Sequence, residues 1–327
     1  MITRERQTYN LKEAFFPVRE ECVYRDAFRA KKIPGYKALV NSNDDNVLSI
    51  VSNEYQLLLN VDAFEMADLV VRSVFDGVTL KDFECFNVHM PKSKASCRID
   101  LIIPNKFRRL FGLRNESWIP FVRITNSYNR TKTLKYEIGF CRWICLNGVI
   151  FGKMGIKISI NHSSGAFYPD IENAINAQKK ELGNIESLWE IFERKMTALR
   201  NISLPVSCAL PIYCKVFDIK KGKETISPAQ KQILYDKAHQ IINAGKEYFS
   251  ELGNNAYAMM NVLTDYASFP AWSTGSGNYV GGYQRKVGQW VDEFLVEAKK
   301  DDFSLSSYIG DEYQNAAYYL ESLVQNP

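Results

Sequence analysis

Residues 123–149 read RITNSYNRTKTLKYEIGFCRWICLNGV and hold five basic side chains, one carboxylate and two cysteines. The basic residues are Arg123, Arg130, Lys132, Lys135 and Arg142. Cys141 and Cys145 lie four apart, which on a strand puts them on one face but too far from each other for a disulfide. None of the three histidines (His89, His162, His239) is close enough in sequence to activate a thiol, so buried packing is the expected role of both. The chemistry open to the stretch is anion binding. Cations spaced along an apolar, strand-like segment can track phosphates, and exposed rings between them can stack on bases.

The charge around this stretch is segregated from the rest. Residues 91–160 carry 14 Lys plus Arg against the acids Asp100, Glu116 and Glu137, whereas the whole chain has a net charge of only +4. The last 39 residues carry eight acids and two lysines. Such segregation points to a polyanion partner more directly than overall pI does. The candidate phosphate contacts are Lys106, Arg108, Arg109, Arg123, Arg130, Lys132, Lys135 and Arg142. Tyr128, in a turn, and Trp143, opposite the Phe140 face, are the candidate base contacts, and single-stranded DNA is the expected polymer. The alternative for the same charges is that they solvate a sheet's outer face or pair with the acidic half of the chain, which could lie across them.

The elements that must position these residues are α+β: a mainly antiparallel β-sheet core in the first half and a helical second half. Three regions are predicted. Residues 1–45 form a helix and loop entry, 46–165 a basic β-rich core, and 166–327 a helical region with an acidic C-terminus. VLSIVSNEYQLLLN predicts two strands split at Ser52–Asn53, followed by a helix capped by Asn60 and stopped at Gly77. From Phe83 to Ile160, short runs rich in branched and aromatic residues alternate with turn clusters. In LKYEIGF, Leu134, Tyr136, Ile138 and Phe140 share one face, and Lys135 and Glu137 the other, predicting a half-buried strand with a wet side. Ile185, Leu188, Trp189, Phe192, Met196 and Leu199 make an amphipathic stripe. SPAQ at 227–230 predicts a capped helix start, and further helices are expected near 255–267, 282–299 and 311–325.

Several classes of chemistry have no motif here. GxxxxGK[ST], HExxH and GxSxG are absent, no CxxC occurs among the seven cysteines, and neither a metal nor a cofactor is expected. GSGNYVGG, near Arg285 and Lys286, lacks the preceding strand of a dinucleotide loop and reads as an interhelix loop, its amides touching a phosphate being the remaining option. The N-terminal stretch has no apolar signal-peptide core, and no run approaches a membrane span. A cytoplasmic protein is therefore expected, with a class of activity legible and a reaction not.

Three stretches also resemble a known family, domain of unknown function 932, the phage/plasmid-like proteins. In the opening stretch the matching residues are Asn126, Ser127, Arg142, Cys145 and Asn147. VLSIVSNEYQLLLNVDAF matches through Val51, Ser52, Tyr55, Asn60, Ala63 and Phe64, and MMNVLTDYASF through Asn261, Thr264, Asp265 and Tyr266. The family's His-Asp-Gly turn is replaced by Tyr128, Asn129 and Arg130, exchanging an acid for a base. The resemblance implies a mobile-element origin in a bacterial host and no established biochemistry. Two readings follow: a nucleic-acid-binding protein supporting recombination, annealing or replication, or an interaction protein whose acidic helical half inhibits a host defence or replication enzyme. Either is served by a homo-oligomer. A hydrolase with a non-contiguous site ranks third.

Overall fold

The computed structural model describes residues 11–26, 30–103, 106–111, 116–151, 157–163, 165–182, 184–220, 226–270 and 280–325. It is α+β, with antiparallel sheets in the first half and helices in the second. The strands are β1 (Val18–Tyr24), β2 (Lys32–Asn41), β3 (Val47–Ser52), β4 (Glu84–His89), β5 (Ser96–Ile102), β6 (Arg109–Leu110), β7 (Ser117–Ser127), β8 (Leu134–Arg142), β9 (Gly148–Val149) and β10 (Lys157–Ile160). The helices are α1 (Asn60–Val74), α2 (Phe167–Leu182), α3 (Ile185–Arg200), α4 (Ala209–Phe217), α5 (Pro228–Leu252), α6 (Ala256–Ser268), α7 (Val280–Glu297), α8 (Leu305–Ile309) and α9 (Asp311–Gln325). Strands β1-β2-β3 form a small sheet, and β10-β8-β7-β5-β4 a large one, with β6 beside β7 and β9 beside β8.

Three local expectations are corrected. Residues 18–41 are two paired strands where a helix and loop entry was expected, their alternation hidden by the charged residues of an exposed edge. Of the two strands predicted in 47–60, only β3 forms. Asn60 does not cap α1; it is the helix's first residue, and its amide group spans Ala14 and Asn126 instead. Elsewhere the local signals hold. Ser227 and Gln230 form the capping box of α5, Asn184 caps α3, and Gly77 takes φ +66° beyond α1.

One face of the large sheet carries the main core. Cys97, Ile99, Leu101, Val122, Ile124, Tyr136, Ile138 and Phe140 point to it, and α1, α2 and α3 cover it. Phe140 stacks on Phe192 of α3 at 4.5 Å and meets Trp189 at 4.7 Å. The second face is not wet. Glu137 is 2% exposed, because the first turns of α7 reach over it. Gly288 makes this possible: a Cβ there would lie 2.2 Å from the Ile150 carbonyl oxygen, so only glycine lets the helix approach so closely.

The two halves are joined by a buried ion cluster. Arg142 meets Glu116 at 2.8 Å and Glu251 of α5 at 2.6 Å; Arg200 of α3 reaches the other Glu116 oxygen at 2.8 Å. The Tyr257 hydroxyl donates to Glu116 at 2.5 Å and accepts from Trp118 at 2.8 Å. Burial pulls the Arg142 pKa down, but Glu116 foremost, then Cys145, Tyr257 and Glu251, outweigh it and raise it, so the guanidinium stays charged. Removing one partner of such a cluster leaves a charge stranded in the interior. Glu116→Ala is therefore expected to cost about 3–5 kcal/mol in a denaturant melt. Gly288→Ala should lower the melting temperature by displacing α7 from β9, measured by thermal unfolding.

Candidate nucleic-acid interface

Strand pairing places the functional side chains in rows, because residues directly opposed across antiparallel strands share a face. One row on the second face runs Asn87, Asp100, Arg123, Glu137, Lys157. The next runs His89, Arg98, Thr125, Lys135, Ser159. Further along the same face the rows become apolar, with Ile102, Phe121 and Cys141. The polar end thus sits beside the turn between β7 and β8, which carries Arg130 and Lys132.

Both carboxylates in these rows are engaged. Asp100 takes a two-pronged contact from Arg123, Nε to Oδ1 at 2.6 Å and Nη2 to Oδ2 at 2.9 Å, and Asn87 donates to it at 3.1 Å. Arg98 lies 3.5 Å from the same carboxylate. Glu137 accepts from Arg285 of α7 at 2.6 Å, while the remaining Arg123 nitrogen donates to Gln284 at 2.8 Å. Against Asp100 and Glu137 stand Arg98, Arg123, Lys132, Lys135, Lys157 and Arg285. The corner is cationic in excess.

The titration behaviour follows from that excess. Lys132 is pushed down to about 8, first by burial and then by Arg98, Lys135, Arg123 and Arg285. Lys135 is lowered by burial, with Glu137 opposing and Arg285 and Lys157 adding to the shift. Burial, then Arg98 and Lys132, take His89 to about 4, so it is neutral at pH 7. Burial alone would raise Asp100, but Arg123 and Arg98 outweigh it and hold it below the ordinary carboxylate range. An anion at this corner would relieve the crowding of like charge, which is the physical condition for binding one.

The ten residues expected to contact nucleic acid do not form one surface. Lys132 and Lys135 are half-buried at the cationic corner, and Arg130 is exposed beside them with φ +58°. Arg123 is also there, but as a correction it is 2% exposed and locked to Asp100, so it positions the corner and does not reach a phosphate. Arg142 is corrected likewise: it is the buried tie to Glu116 and Glu251. Tyr128 is not an exposed turn residue. Its ring packs 5.8 Å from Phe16 in the small-sheet core, and its hydroxyl accepts from the Asn60 backbone, so it has no face to offer a base. Lys106, Arg108, Arg109 and Trp143 lie toward the opposite end of β8, about 27 Å away at strand rise. There Arg108 covers the Trp143 ring at 5.3 Å, and Arg109 is paired with Glu186 and Glu193 of α3. Of the C-terminal acids, Asp311, Glu312 and Glu321 belong to α9, which packs on α4 and α5.

Sequence reading missed Arg98, whose alternation with Asp100 and Ile102 was a usable signal. Arg285 was noted only beside the glycine-rich loop; residues 271–279 lie outside the described residues, and its place comes from α7. Cys141 and Cys145 are buried free thiols, as expected. Among the described residues no helix is long and apolar enough to cross a membrane, and no group of three potential metal ligands occurs.

The segments that carry the family resemblance meet in space. The Asn126 side chain donates to the Leu58 carbonyl and the Asn60 side chain, each at 2.9 Å, and the Tyr55 hydroxyl donates to the Ser127 carbonyl at 2.6 Å. Asn147 donates to the Tyr248 hydroxyl at 2.7 Å. Comparison with curated proteins finds no match, and comparison with solved structures finds none either. The family model described as domain of unknown function DUF932 matches residues 47–268, from β3 to the end of α6, leaving α7 with Gln284 and Arg285 beyond the matched span. That match covers more than half of the chain, which therefore belongs to the DUF932 family.

Proposed function

We propose that this protein binds nucleic acid, single-stranded DNA foremost, at the corner formed by Lys132, Lys135, Lys157 and Arg285. The observation that carries the reading is the excess of cations over engaged carboxylates at one end of a sheet. The setting we propose for such binding is recombination, annealing or replication of a mobile element, in the cytoplasm of its host, a reading that the resemblance to phage/plasmid-like proteins supports. With Tyr128 buried, the contact is made chiefly to phosphates, so affinity is sequence-tolerant and salt-dependent. A second reading has its own observation. Asp301, Asp302, Asp311, Glu312 and Glu321 stay exposed in the C-terminal region, an acidic surface open to a host protein.

Fluorescence anisotropy with a labelled, 5′-hydroxyl oligothymidylate across a salt series tests the first reading. Each phosphate contact contributes about −0.7 to the slope of log affinity against log salt for a single strand. Lys135→Gln combined with Lys157→Gln should flatten the slope by about 1.4 and weaken binding at low salt. Binding and slope unchanged in that double variant would overturn the assignment. Absence of any binding would turn attention to the acidic surface and a protein partner.

Lys132 links binding to pH and stability. It loses its proton as pH rises through about 8, so wild-type affinity should fall between pH 7 and 9, and Lys132→Met should remove that part of the dependence. Folding lowers this pKa, so the cost of keeping the lysine charged is fully present below pH 8 and disappears once the unfolded chain also deprotonates. Lys132→Met should accordingly be more stable at pH 7, by about 1 kcal/mol, while binding the oligonucleotide less tightly.

A further inference from the structure

Beside the cationic corner is a cavity of ≈290 Å³, where the β7–β8 turn meets the segments that follow β3 and β10. Arg130 and Lys132 line it from the turn, Ser52, Glu54 and Tyr55 from the first segment, and His162 from the second. Arg130 takes the left-handed conformation, φ +58°, which costs a residue with a side chain about 1 kcal/mol or more. In that conformation its guanidinium reaches the Ser52 hydroxyl at 3.4 Å, on the cavity wall.

His162 adds a second kind of group. It is 6% exposed and stacked on the Tyr55 ring at 4.8 Å, with 15° between the planes. Its Nδ1 lies 3.3 Å from the Gln56 carbonyl. A carbonyl only accepts, so the ring proton is on Nδ1 and Nε2 is a bare acceptor. That Nε2 is buried with no hydrogen-bond partner in the protein. Burial lowers the pKa of this histidine, which keeps the ring neutral at pH 7. The Nε2 atom is closed even to water, so the acceptor a ligand in the cavity can reach is the Glu54 carboxylate, which stands with the cations Arg130 and Lys132.

These groups select a ligand class. A phosphomonoester carries close to two negative charges at neutral pH, against one for the diester inside a strand, and so matches Arg130 and Lys132 together. Glu54 would repel an anion at its own position but accepts from an N–H donor on a base. The volume is at the small end of ligand pockets, with room for about one nucleotide and not for a run of them. We infer that the cavity takes a nucleoside monophosphate group, its phosphate between Arg130 and Lys132 and an N–H edge of its base toward Glu54. Resting on the nucleic-acid reading above, this group is the phosphorylated 5′ end of a bound strand, and the adjoining corner holds the phosphates that follow.

The test uses the full chain and two oligothymidylates that differ only in a 5′-phosphate, together with thymidine 5′-monophosphate and thymidine as small probes. The phosphorylated strand should bind at least fivefold tighter, and the monophosphate should bind where thymidine does not. Arg130→Gly removes the cation yet suits the backbone, so the variant should melt no lower than wild type while the ratio of the two strand affinities falls to about one. Equal affinity of the two strands for wild-type protein, or a preference that survives in Arg130→Gly, overturns the inference while leaving the interface reading standing. Binding of the monophosphate, but not thymidine, in a protein that binds neither strand has the opposite meaning: the interface reading falls and the cavity remains a mononucleotide site.

Discussion

The structure turns on one constraint: β7 is buried on both faces and still carries charge. All eleven residues from Ser117 to Ser127 are buried, with Arg123 and the polar Asn126 and Ser127 among them. A charge in that position is tolerated only with partners that return what water provided. Asp100 on β5 and Gln284 on α7 supply them to Arg123, and each partner is held by a different element. The same logic operates at the other end of the sheet, where Glu116 gathers Arg142, Arg200 and Tyr257. Pairing of interior charge therefore decides which strands neighbour one another and where α7 docks.

Pairing also explains why the cationic corner differs from the rest of the basic region. Several cations between residues 91 and 160 have carboxylates assigned to them: Arg109 has two from α3, Arg142 two from the interior. Around Lys132 and Lys135, Asp100 and Glu137 are engaged by arginines, and Glu54 lines the cavity that Lys132 borders. Holding a half-buried lysine against four other cations lowers stability, and a fold that maintains such an arrangement has placed strain where an anion can relieve it. The left-handed Arg130 in the neighbouring turn is strain of a different kind at the same place.

Family membership adds a further regularity. Residues that carry the resemblance to DUF932 at the start of α1 and the end of β7 are hydrogen-bonded to each other, joining the small sheet, α1 and the large sheet. Their role is to fix the β7–β8 turn in place. From that turn Tyr128 fills the small-sheet core, and Arg130 and Lys132 face the cavity.

Local physics made much of the architecture legible in the sequence. The alternation of Leu134, Tyr136, Ile138 and Phe140, the stripe from Ile185 to Leu199 and the SPAQ cap each specify an element through neighbours a few residues away, and the α+β order follows. The charge surplus was legible too, since counting needs no coordinates. What only tertiary structure decided is which of those charges meet carboxylates and which gather at one corner. Alternation says that Lys135 and Glu137 share a face, but it cannot say that α7, more than 140 residues later, covers that face and brings Arg285 to Glu137. A turn sequence suggests that Tyr128 is exposed, whereas its burial depends on Phe16 and Asn60 arriving from elsewhere. Composition sets how much positive charge the sheet carries, and long-range contacts set where it gathers.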